Sequence, residues 1–278
     1  MKRRVIPGMS ANSFGMAITI GIQLVSLPLF LYFWDAATYG VWLMLSAIPA
    51  YLSMADVGMV TAAGNKMTMA MGKGDLIETN RVFQSAQLFM SVVCCVIAIL
   101  TIPVIFYAPL PFFQSVDMRV ALSALCIGVL AALFGGLSEA IFKSTKRYAT
   151  GTMLSNYVRL GEWLGYMTGL VMVGSFAAVA LCGLAARLIG TLIGVQLSRR
   201  GNHGIHWGTH AAERAEIRTM IKPAVSFMAF PLANALSFQG LTLLVGARFG
   251  PIAVALFNTY RTIARVAVQV PAIFSHAV

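Results

Sequence analysis

The sequence contains few charged side chains for its length. Only 10% of its 278 residues are Asp, Glu, Lys or Arg, whereas a soluble domain carries about a quarter because its surface faces water. Acids are the scarcest, with nine Asp and Glu against 20 Lys and Arg. Disordered chains are rich in charge and poor in aromatic residues, and this one has 17 Phe, 8 Tyr and 4 Trp. The composition therefore indicates a membrane protein.

Cysteine is also scarce, and the recognised catalytic motifs are missing. All four cysteines lie inside hydrophobic runs: Cys94, Cys95, Cys126 and Cys182. We interpret them as small packed side chains rather than disulfides or zinc ligands. His203, His206 and His210 have helical spacing, but their loop contains no Cys, and a metal site is not expected there. The sequence also has no phosphate-cradling glycine loop, nucleophile elbow or zinc-protease motif, so we predict no cofactor and no enzyme activity.

Long hydrophobic runs recur along the chain. A helix that spans a bilayer needs roughly 20 mostly apolar residues. Eight runs of this kind predict transmembrane helices at 12–34, 40–62, 82–107, 118–142, 152–174, 178–198, 223–246 and 252–275. Barrel strands alternate apolar and polar residues over about ten positions, whereas 92–106 is almost continuously apolar. The predicted fold class is therefore all-α, a polytopic membrane helix bundle of about eight transmembrane helices.

Basic residues are concentrated in alternate connections between the predicted helices. One set of connections holds Lys2, Arg3, Arg4, Lys66, Lys73, Arg81, Lys143, Lys146, Arg147, Arg199, Arg200, Arg214, Arg218 and Lys222. The opposite set holds only Arg119 and Arg248. Because Lys and Arg that flank membrane helices stay in the cytoplasm, the sequence predicts a multi-pass protein with a cytoplasmic amino terminus. These charges also suit anionic headgroups, so membrane lipids and not nucleic acid are the expected partners.

The longest connection divides the chain into unequal parts. We predict a six-helix lobe over 1–198, an interlobe linker over 199–222 with a short amphipathic helix at 211–220, and two further helices over 223–278. The turn after the first span and the turn at 249–251 lie about six spans apart, which suggests a repeat of six-helix units of the kind found in transporters. The second unit would then stop after two helices.

Five charged residues lie well inside predicted spans, away from the span ends: Arg159, Glu162, Arg187, Arg261 and Arg265. Each costs about 2.5 to 3.5 kcal/mol at a helix centre on insertion scales and therefore needs a partner, a wet cavity or a route to the headgroups. Arg261 and Arg265 share one helix face, which Asn258 precedes, and they repel each other unless an anion lies beside them. One interpretation is a cationic patch that lines a cavity. The other is arginines capped by backbone carbonyls at a helix break.

The balance of intramembrane charge favours an anionic ligand. Glu162 set against the four arginines leaves an excess of three positive charges, since 4 − 1 = 3. Arginine suits phosphate because its planar group donates two parallel hydrogen bonds. Glu139 lies four residues before Lys143 at a helix end, and we interpret these two as a structural ion pair.

Two acids, Asp56 and Glu162, either bind a proton or cation that drives transport or have a structural role. Asp56, just before Gly58, is either a proton or cation site, or a capping group or partner of Lys66. Glu162 lies three residues after Arg159, which predicts a local ion pair.

Short motifs in the first two spans and in span eight resemble one known family. These are Asn12 and Gln23, Leu27-Pro28-Leu29, Tyr39-Gly40-Val41-Trp42, Asp56-Val57-Gly58, Gly72-Lys73-Gly74-Asp75, and Phe249-Gly250-Pro251 followed by Tyr260, Arg261 and Arg265. They are similar to motifs of polysaccharide flippases of the Wzx type, within the multidrug/oligosaccharidyl-lipid/polysaccharide (MOP) exporter superfamily.

This resemblance implies a two-lobed transporter of about twelve or more helices. Such a protein moves an undecaprenyl-pyrophosphate-linked oligosaccharide across the bacterial inner membrane by alternating access, for polysaccharide, O-antigen or lipopolysaccharide synthesis. The implied cationic cavity maps onto Arg159, Arg187, Arg261 and Arg265, with Asn258 beside them. Implied partners are the lipid-linked oligosaccharide and other polysaccharide assembly proteins. With eight predicted spans, the chain is expected to be truncated in its second lobe or to need another copy.

Three alternatives remain at this stage. A cation-coupled multidrug exporter of the same superfamily is expected to use an acidic residue in its first lobe, often in span one, and 12–34 contains none. An integral-membrane glycan polymerase or acyltransferase needs a sizeable outer loop, and the predicted outer loops are short. The third alternative is a non-transporting remnant or assembly partner.

Overall fold

In the computed structural model, residues 2–107, 115–201 and 204–275 are described, and this part of the chain is helical and contains no strand. Its α-helices are α1 (Lys2–Phe33), α2 (Ala36–Leu52), α3 (Met59–Gly72), α4 (Leu76–Tyr107), α5 (Val116–Ser144), α6 (Tyr148–Met172), α7 (Phe176–Arg200), α8 (Arg214–Ala235), α9 (Leu241–Phe249) and α10 (Pro251–Ser275). The predicted all-α fold is confirmed.

Two of the eight predicted spans are each built from two helices in line. Between α2 and α3, a short 3₁₀ turn at Ser53–Asp56 is followed by Val57 and Gly58 in left-handed conformations. A side chain at Gly58 would collide with the carbonyl oxygen of Ala224 on α8, so this crossing requires glycine. Between α8 and α9, the chain forms a π-helical turn at Leu236–Gly240.

Within the described residues, six helical passes are long and apolar enough to cross a membrane. They are Ser10–Phe33, Ala36–Gly72, Leu76–Tyr107, Val116–Ser144, Phe176–Arg200 and Arg214–Phe249. The other two predicted spans coincide with α6, which carries Arg159 and Glu162, and with α10, and these two helices are not among the six. The chain is therefore a multi-pass membrane protein whose passes follow the predicted order.

Side-chain caps fix several tight turns at one end of the bundle. Asp35 accepts a hydrogen bond from the N–H of Thr38 at 2.8 Å and so caps α2. The Asp117 carboxylate accepts from the N–H groups of Phe176 and Ala177 at 3.0 and 3.1 Å, which ties α5 to the start of α7. We call this end the aromatic end, because Trp34 and its ring neighbours lie here, and the opposite end the basic end. The turns before α2, α7 and α10 are short.

The buried core consists of two clusters, one toward each end. The aromatic-end cluster includes Trp34, Trp42 and Leu122, and the basic-end cluster includes Met67 and Phe83. Inside a membrane, close packing rather than water exclusion holds helices together. α6 and α7 pack closely, because a side chain at Gly165 or Gly169 on α6 would collide with the α7 backbone.

The segment between α7 and α8 is packed against α4. Asn80 exchanges hydrogen bonds with Gly204 and His206, and Gln84 accepts one from the N–H of Ala211 at 2.7 Å. The predicted separate amphipathic helix at 211–220 is wrong, because 214–220 form the first turns of α8 instead. Within the described residues no group of His, Cys, Asp or Glu could hold a metal, and His203 lies outside them. All four cysteines are free thiols.

Candidate functional site

The arginine pair of α10 faces the π turn between α8 and α9. The Arg261 guanidinium donates to the carbonyl oxygen of Phe238 at 2.6 Å and to the side-chain oxygen of Asn258 at 2.7 Å. The same carbonyl accepts from the Thr242 hydroxyl at 2.9 Å. Arg261 is thus capped by a backbone carbonyl at a helix irregularity, which is one of the two sequence-based interpretations. π turns are frequent at functional sites.

Arg265, one helical turn further along α10, is held differently. Its guanidinium carbon lies 4.0 Å from the centre of the Phe238 ring, a cation–π geometry. Arg265 makes no hydrogen bond and no ion pair with any residue that the structure describes, and no carboxylate there pairs with Arg261. Within the described residues, the N–H groups of this half-buried, stacked guanidinium therefore have no acceptor.

One arginine of α7 and the carboxylate of α6 compensate each other. Arg187 and Glu162 form an ion pair at 2.8 Å, with side chains 24% and 14% exposed, and the Tyr166 hydroxyl donates to Glu162 at 2.9 Å. The predicted pair of Arg159 and Glu162 is wrong, because Arg159 instead donates to the Thr19 hydroxyl on α1 at 2.9 Å. The close approach of α6 and α7 brings Arg187 within reach of Glu162, and a same-helix spacing cannot reveal such a neighbour.

The four arginines that the sequence analysis placed in one cavity therefore have different contacts in the structure. Arg261 and Arg265 are brought together on the Phe238 ring. Arg187 is neutralised by a carboxylate, and Arg159 lines a cavity of about 480 Å³ between α1 and α6. The central cationic cavity with all four arginines stays a prediction from the sequence.

Glu139 is the functional candidate that the sequence reasoning missed. It lines three neighbouring cavities, of about 200, 300 and 480 Å³. Within the described residues it makes no hydrogen bond and no close ion pair, although Lys143 and Arg159 lie near enough to interact with its charge. The expected ion pair with Lys143 is wrong, because Lys143 donates to Asn65 at 3.0 Å. α5 continues to Ser144, so Glu139 lies more than one turn inside the helix. Its distance from the helix end could have identified it as a functional candidate. Counting Glu139 with Glu162 lowers the predicted excess of positive charge from three to two, since 4 − 2 = 2.

Asp56 ends the 3₁₀ turn between α2 and α3. Its carboxylate accepts from the N–H of Gly58 at 3.0 Å, which matches the capping alternative. It does not pair with Lys66, which contacts Glu216 on α8 at 2.5 Å and Glu78 at 4.0 Å. A coupling role for Asp56 stays a prediction.

A second feature that the sequence reasoning missed is an aromatic cavity of about 360 Å³ between α1, α2, α5 and α6. Its polar and aromatic lining comprises Ser26, Phe30, Tyr39, Trp42, Ser46, Glu162, Trp163 and Tyr166. The indole N–H of Trp163 donates to the Ser26 hydroxyl at 2.7 Å. At one wall, the Tyr39 hydroxyl lies beside the side chain of Asn258 on α10.

No family model matches the chain, and no curated protein matches it in sequence. Solved structures do match. An outward-facing MATE multidrug resistance transporter of the MOP superfamily aligns with a TM-score of 0.75 at 12% identity, over 99% of this chain and 63% of its own. A MOP superfamily transporter from Pyrococcus furiosus, described as having a binding pocket of reversed polarity, aligns with a TM-score of 0.74 at 12% identity, over 99% and 63%.

A MATE transporter in complex with Br-NRF aligns with a TM-score of 0.68 at 14% identity, over 99% of this chain and 64% of that protein. The chain thus spans less than two thirds of the length of each of these transporters. At these identities the likeness shows the fold, and the chain has the helical architecture of MATE transporters and their MOP superfamily relatives.

Proposed function

We propose that the chain is part of a transporter that moves a lipid-linked oligosaccharide pyrophosphate across the membrane, with Arg265 as the principal phosphate ligand. The observation that carries this proposal is the stacked Arg265 guanidinium, which has no partner among the described residues. Arg261 lies one turn away and carries the same charge without a carboxylate. An anion relieves the repulsion of such a pair, whereas a cation would increase it.

Phosphate is the anion that fits this pair best. Arginine presents its donors in a plane, and stacking on the Phe238 ring holds that plane in one orientation. Less conformational freedom is then lost when the hydrogen bonds to phosphate form. In a low-dielectric surrounding, charge-assisted bonds are also stronger than in water.

The cellular setting follows the same proposal. The protein would lie in the bacterial inner membrane, with the basic end and the amino terminus in the cytoplasm, as the positive-inside rule predicts. It would serve polysaccharide, O-antigen or lipopolysaccharide synthesis by alternating access, together with other polysaccharide assembly proteins. The MATE-like fold supports this proposal at the level of architecture.

Replacement of Arg265 by Gln tests the phosphate role. Arg248→Gln is the matched control, because Arg248 is an exposed arginine at the end of α9. In lipid nanodiscs, we expect Arg265→Gln to weaken binding of undecaprenyl pyrophosphate at least about tenfold, since charge-assisted hydrogen bonds contribute about 1.5 to 3 kcal/mol. Arg265→Lys should retain part of the affinity. Wild-type binding by Arg265→Gln, with wild-type translocation of labelled glycolipid in proteoliposomes, would contradict the proposal.

The second candidate function is a cation-coupled exporter, which Glu139 favours. Glu139 is a half-buried carboxylate that lines three cavities and makes no hydrogen bond or close ion pair with the described residues. Such a group can carry a proton or a cation. In that case Glu139→Gln abolishes gradient-driven uptake of a cationic dye, and Glu78→Gln at the basic end leaves it intact. Equal dye uptake with and without a gradient in the wild type excludes this function.

A further inference from the structure

The aromatic cavity has a lining that suits a carbohydrate. Trp42, Trp163 and Tyr166 offer flat apolar ring surfaces, and Ser46 and Glu162 add polar groups beside them. Its volume of about 360 Å³ falls within the range of about 300 to 1,000 Å³ typical of small-molecule sites. A sugar ring combines apolar C–H faces with hydroxyl groups, so it matches walls that are both aromatic and polar.

The charge balance of this cavity argues against an organic cation. Aromatic rings with a free carboxylate would form a cation site. Here Glu162 is the acid in the wall, and its charge is already compensated by Arg187 at 2.8 Å. Each carboxylate oxygen keeps a further lone pair that can accept a hydrogen bond from a hydroxyl. A neutral polyol therefore fits better than a charged ligand.

The cavity adjoins the arginine pair of α10. Tyr39 forms part of its wall, and the Tyr39 hydroxyl lies beside Asn258. Asn258 in turn accepts a hydrogen bond from Arg261 at 2.7 Å. One amide side chain thus lies between the aromatic wall and the guanidinium pair. The α2 and α10 backbones meet closely in the same region, since a side chain at Gly40 would collide with Pro251.

We infer that the aromatic cavity is a sugar subsite that receives the first sugar of the glycolipid while Arg265 binds its pyrophosphate. This inference rests on the proposed function and adds a specificity-determining part to it. The guanidinium pair would bind any lipid pyrophosphate, and the aromatic cavity would select those that carry a sugar. Ser26, Ser46 and Glu162 are the groups that hydrogen bond to its hydroxyls.

The test compares two probes in lipid nanodiscs: undecaprenyl pyrophosphate and the same lipid carrying one N-acetylglucosamine. The variant Ser46→Leu fills the cavity. Ser91→Leu is its matched control, because each serine donates to the carbonyl four residues earlier in its helix, at 2.8 Å, and Ser91 lies on α4 away from the cavity. We expect the wild type and Ser91→Leu to bind the glycosylated lipid about tenfold more tightly, which corresponds to about 1.4 kcal/mol. Ser46→Leu should bind both probes equally.

Tryptophan fluorescence provides a second readout that does not depend on the filled variant folding. The glycosylated lipid should change the emission of the wild type and of Trp207→Phe, because Trp207 packs on Phe83 at the basic end. The double variant Trp42→Phe with Trp163→Phe should lose most of that change, because these two indoles line the cavity. A change that persists in the double variant, or displacement of the glycosylated lipid by tetraphenylphosphonium, overturns the sugar subsite.

The two proposals fail separately. If the wild type binds both lipids equally and Arg265→Gln weakens both, the sugar subsite is wrong and the phosphate site stands. If Arg265→Gln changes neither affinity while Ser46→Leu still removes the preference for the glycosylated lipid, the phosphate role is wrong and the sugar subsite stands.

Discussion

One pair of charged side chains joins α6 to α7 and another lies on α10, and their charges are balanced in opposite ways. Arg187 on α7 is paired with Glu162 on α6, so that pair carries no net charge. Arg261 and Arg265 lie on the same face of α10, and within the described residues no carboxylate pairs with either. The first pair is complete without a ligand, whereas the second keeps two like charges close together.

This difference separates structural charges from charges that await a ligand. A buried ion pair gives little net stability compared with apolar residues, yet removal of one partner is costly because the other stays buried and unpaired. A cation held by a carbonyl or a ring can be replaced more cheaply, since no opposite charge is left behind. The two pairs should therefore respond differently to the same kind of substitution: one in stability, the other in ligand binding.

The largest expected effect comes from Glu162→Gln. Arg187 would lose its carboxylate partner, which costs about 3 to 5 kcal/mol for a buried pair. Thermal denaturation of the variant and the wild type in detergent or nanodiscs measures this loss of stability. The double variant Glu162→Gln with Arg187→Met removes both charges and should regain most of the stability. A Glu162→Gln protein as stable as the wild type would show that Arg187 reaches solvent or a second partner.

The next effect distinguishes the two arginines of α10. Arg261→Gln removes the group that donates to Phe238 and Asn258 and should cost about 1 to 3 kcal/mol. Arg265→Gln should change stability by only about 0.5 kcal/mol, since it removes a ring contact alone. Undecaprenyl pyrophosphate should raise the Tm of the wild type but not of Arg265→Gln. If both variants lose equal stability and neither loses the ligand-induced shift, the distinction is wrong.

Much of the fold could be predicted because the membrane imposes its constraint locally. Each pass must present about 20 apolar residues in sequence, so its presence can be read without knowledge of its neighbours. The irregular turns could not be read this way. Gly58 takes its left-handed conformation where α3 crosses the α8 backbone, and the π turn at Leu236–Gly240 faces the arginines of α10. Both depend on a neighbouring helix.

In the candidate site too, contacts within one helix could be predicted from the sequence, whereas contacts between helices could not. The grouping of Asn258, Arg261 and Arg265 on one helix face could be predicted, because residues three and four apart are neighbours on a helix. The partner of Glu162 could not, because Arg187 lies on the next helix and a closer basic residue was available in the sequence. Helix packing rather than spacing decides which of two candidate partners is reached, and here the glycines of α6 bring α7 nearer.

A smaller effect is expected for the ion pair between α3 and α8 at the basic end. Lys66 and Glu216 are 150 positions apart and lie 2.5 Å from each other, with side chains 29% and 10% exposed. At the basic end, water and lipid headgroups screen the two charges, so the pair should contribute only about 1 kcal/mol. A double-mutant cycle with Lys66→Met and Glu216→Gln measures the coupling. Coupling as large as that of Arg187 with Glu162 would remove the contrast between a pair at the basic end and a pair in the middle of the helices.

The smallest effect concerns Asp35, an exposed carboxylate that caps α2. Hydrogen bonds from the Thr38 hydroxyl and N–H hold the pKa of Asp35 below its ordinary value of 3.8. A lowered pKa in the folded state means that the unfolded chain binds the proton first as the pH falls. The stabilisation is therefore present above 3.8 and is lost as the pH decreases through the folded-state pKa.

Asp35→Asn isolates this charge, because asparagine caps a helix about as well as aspartate. The stability difference between the wild type and Asp35→Asn should be constant near neutral pH and should shift against the wild type once the pH is below 3.8, where the unfolded chain takes up the proton first. Chemical unfolding of both proteins in the two pH ranges measures it. A difference that is the same at both would mean that the cap acts by shape alone, whereas a shift would show that charge contributes even where water surrounds the group.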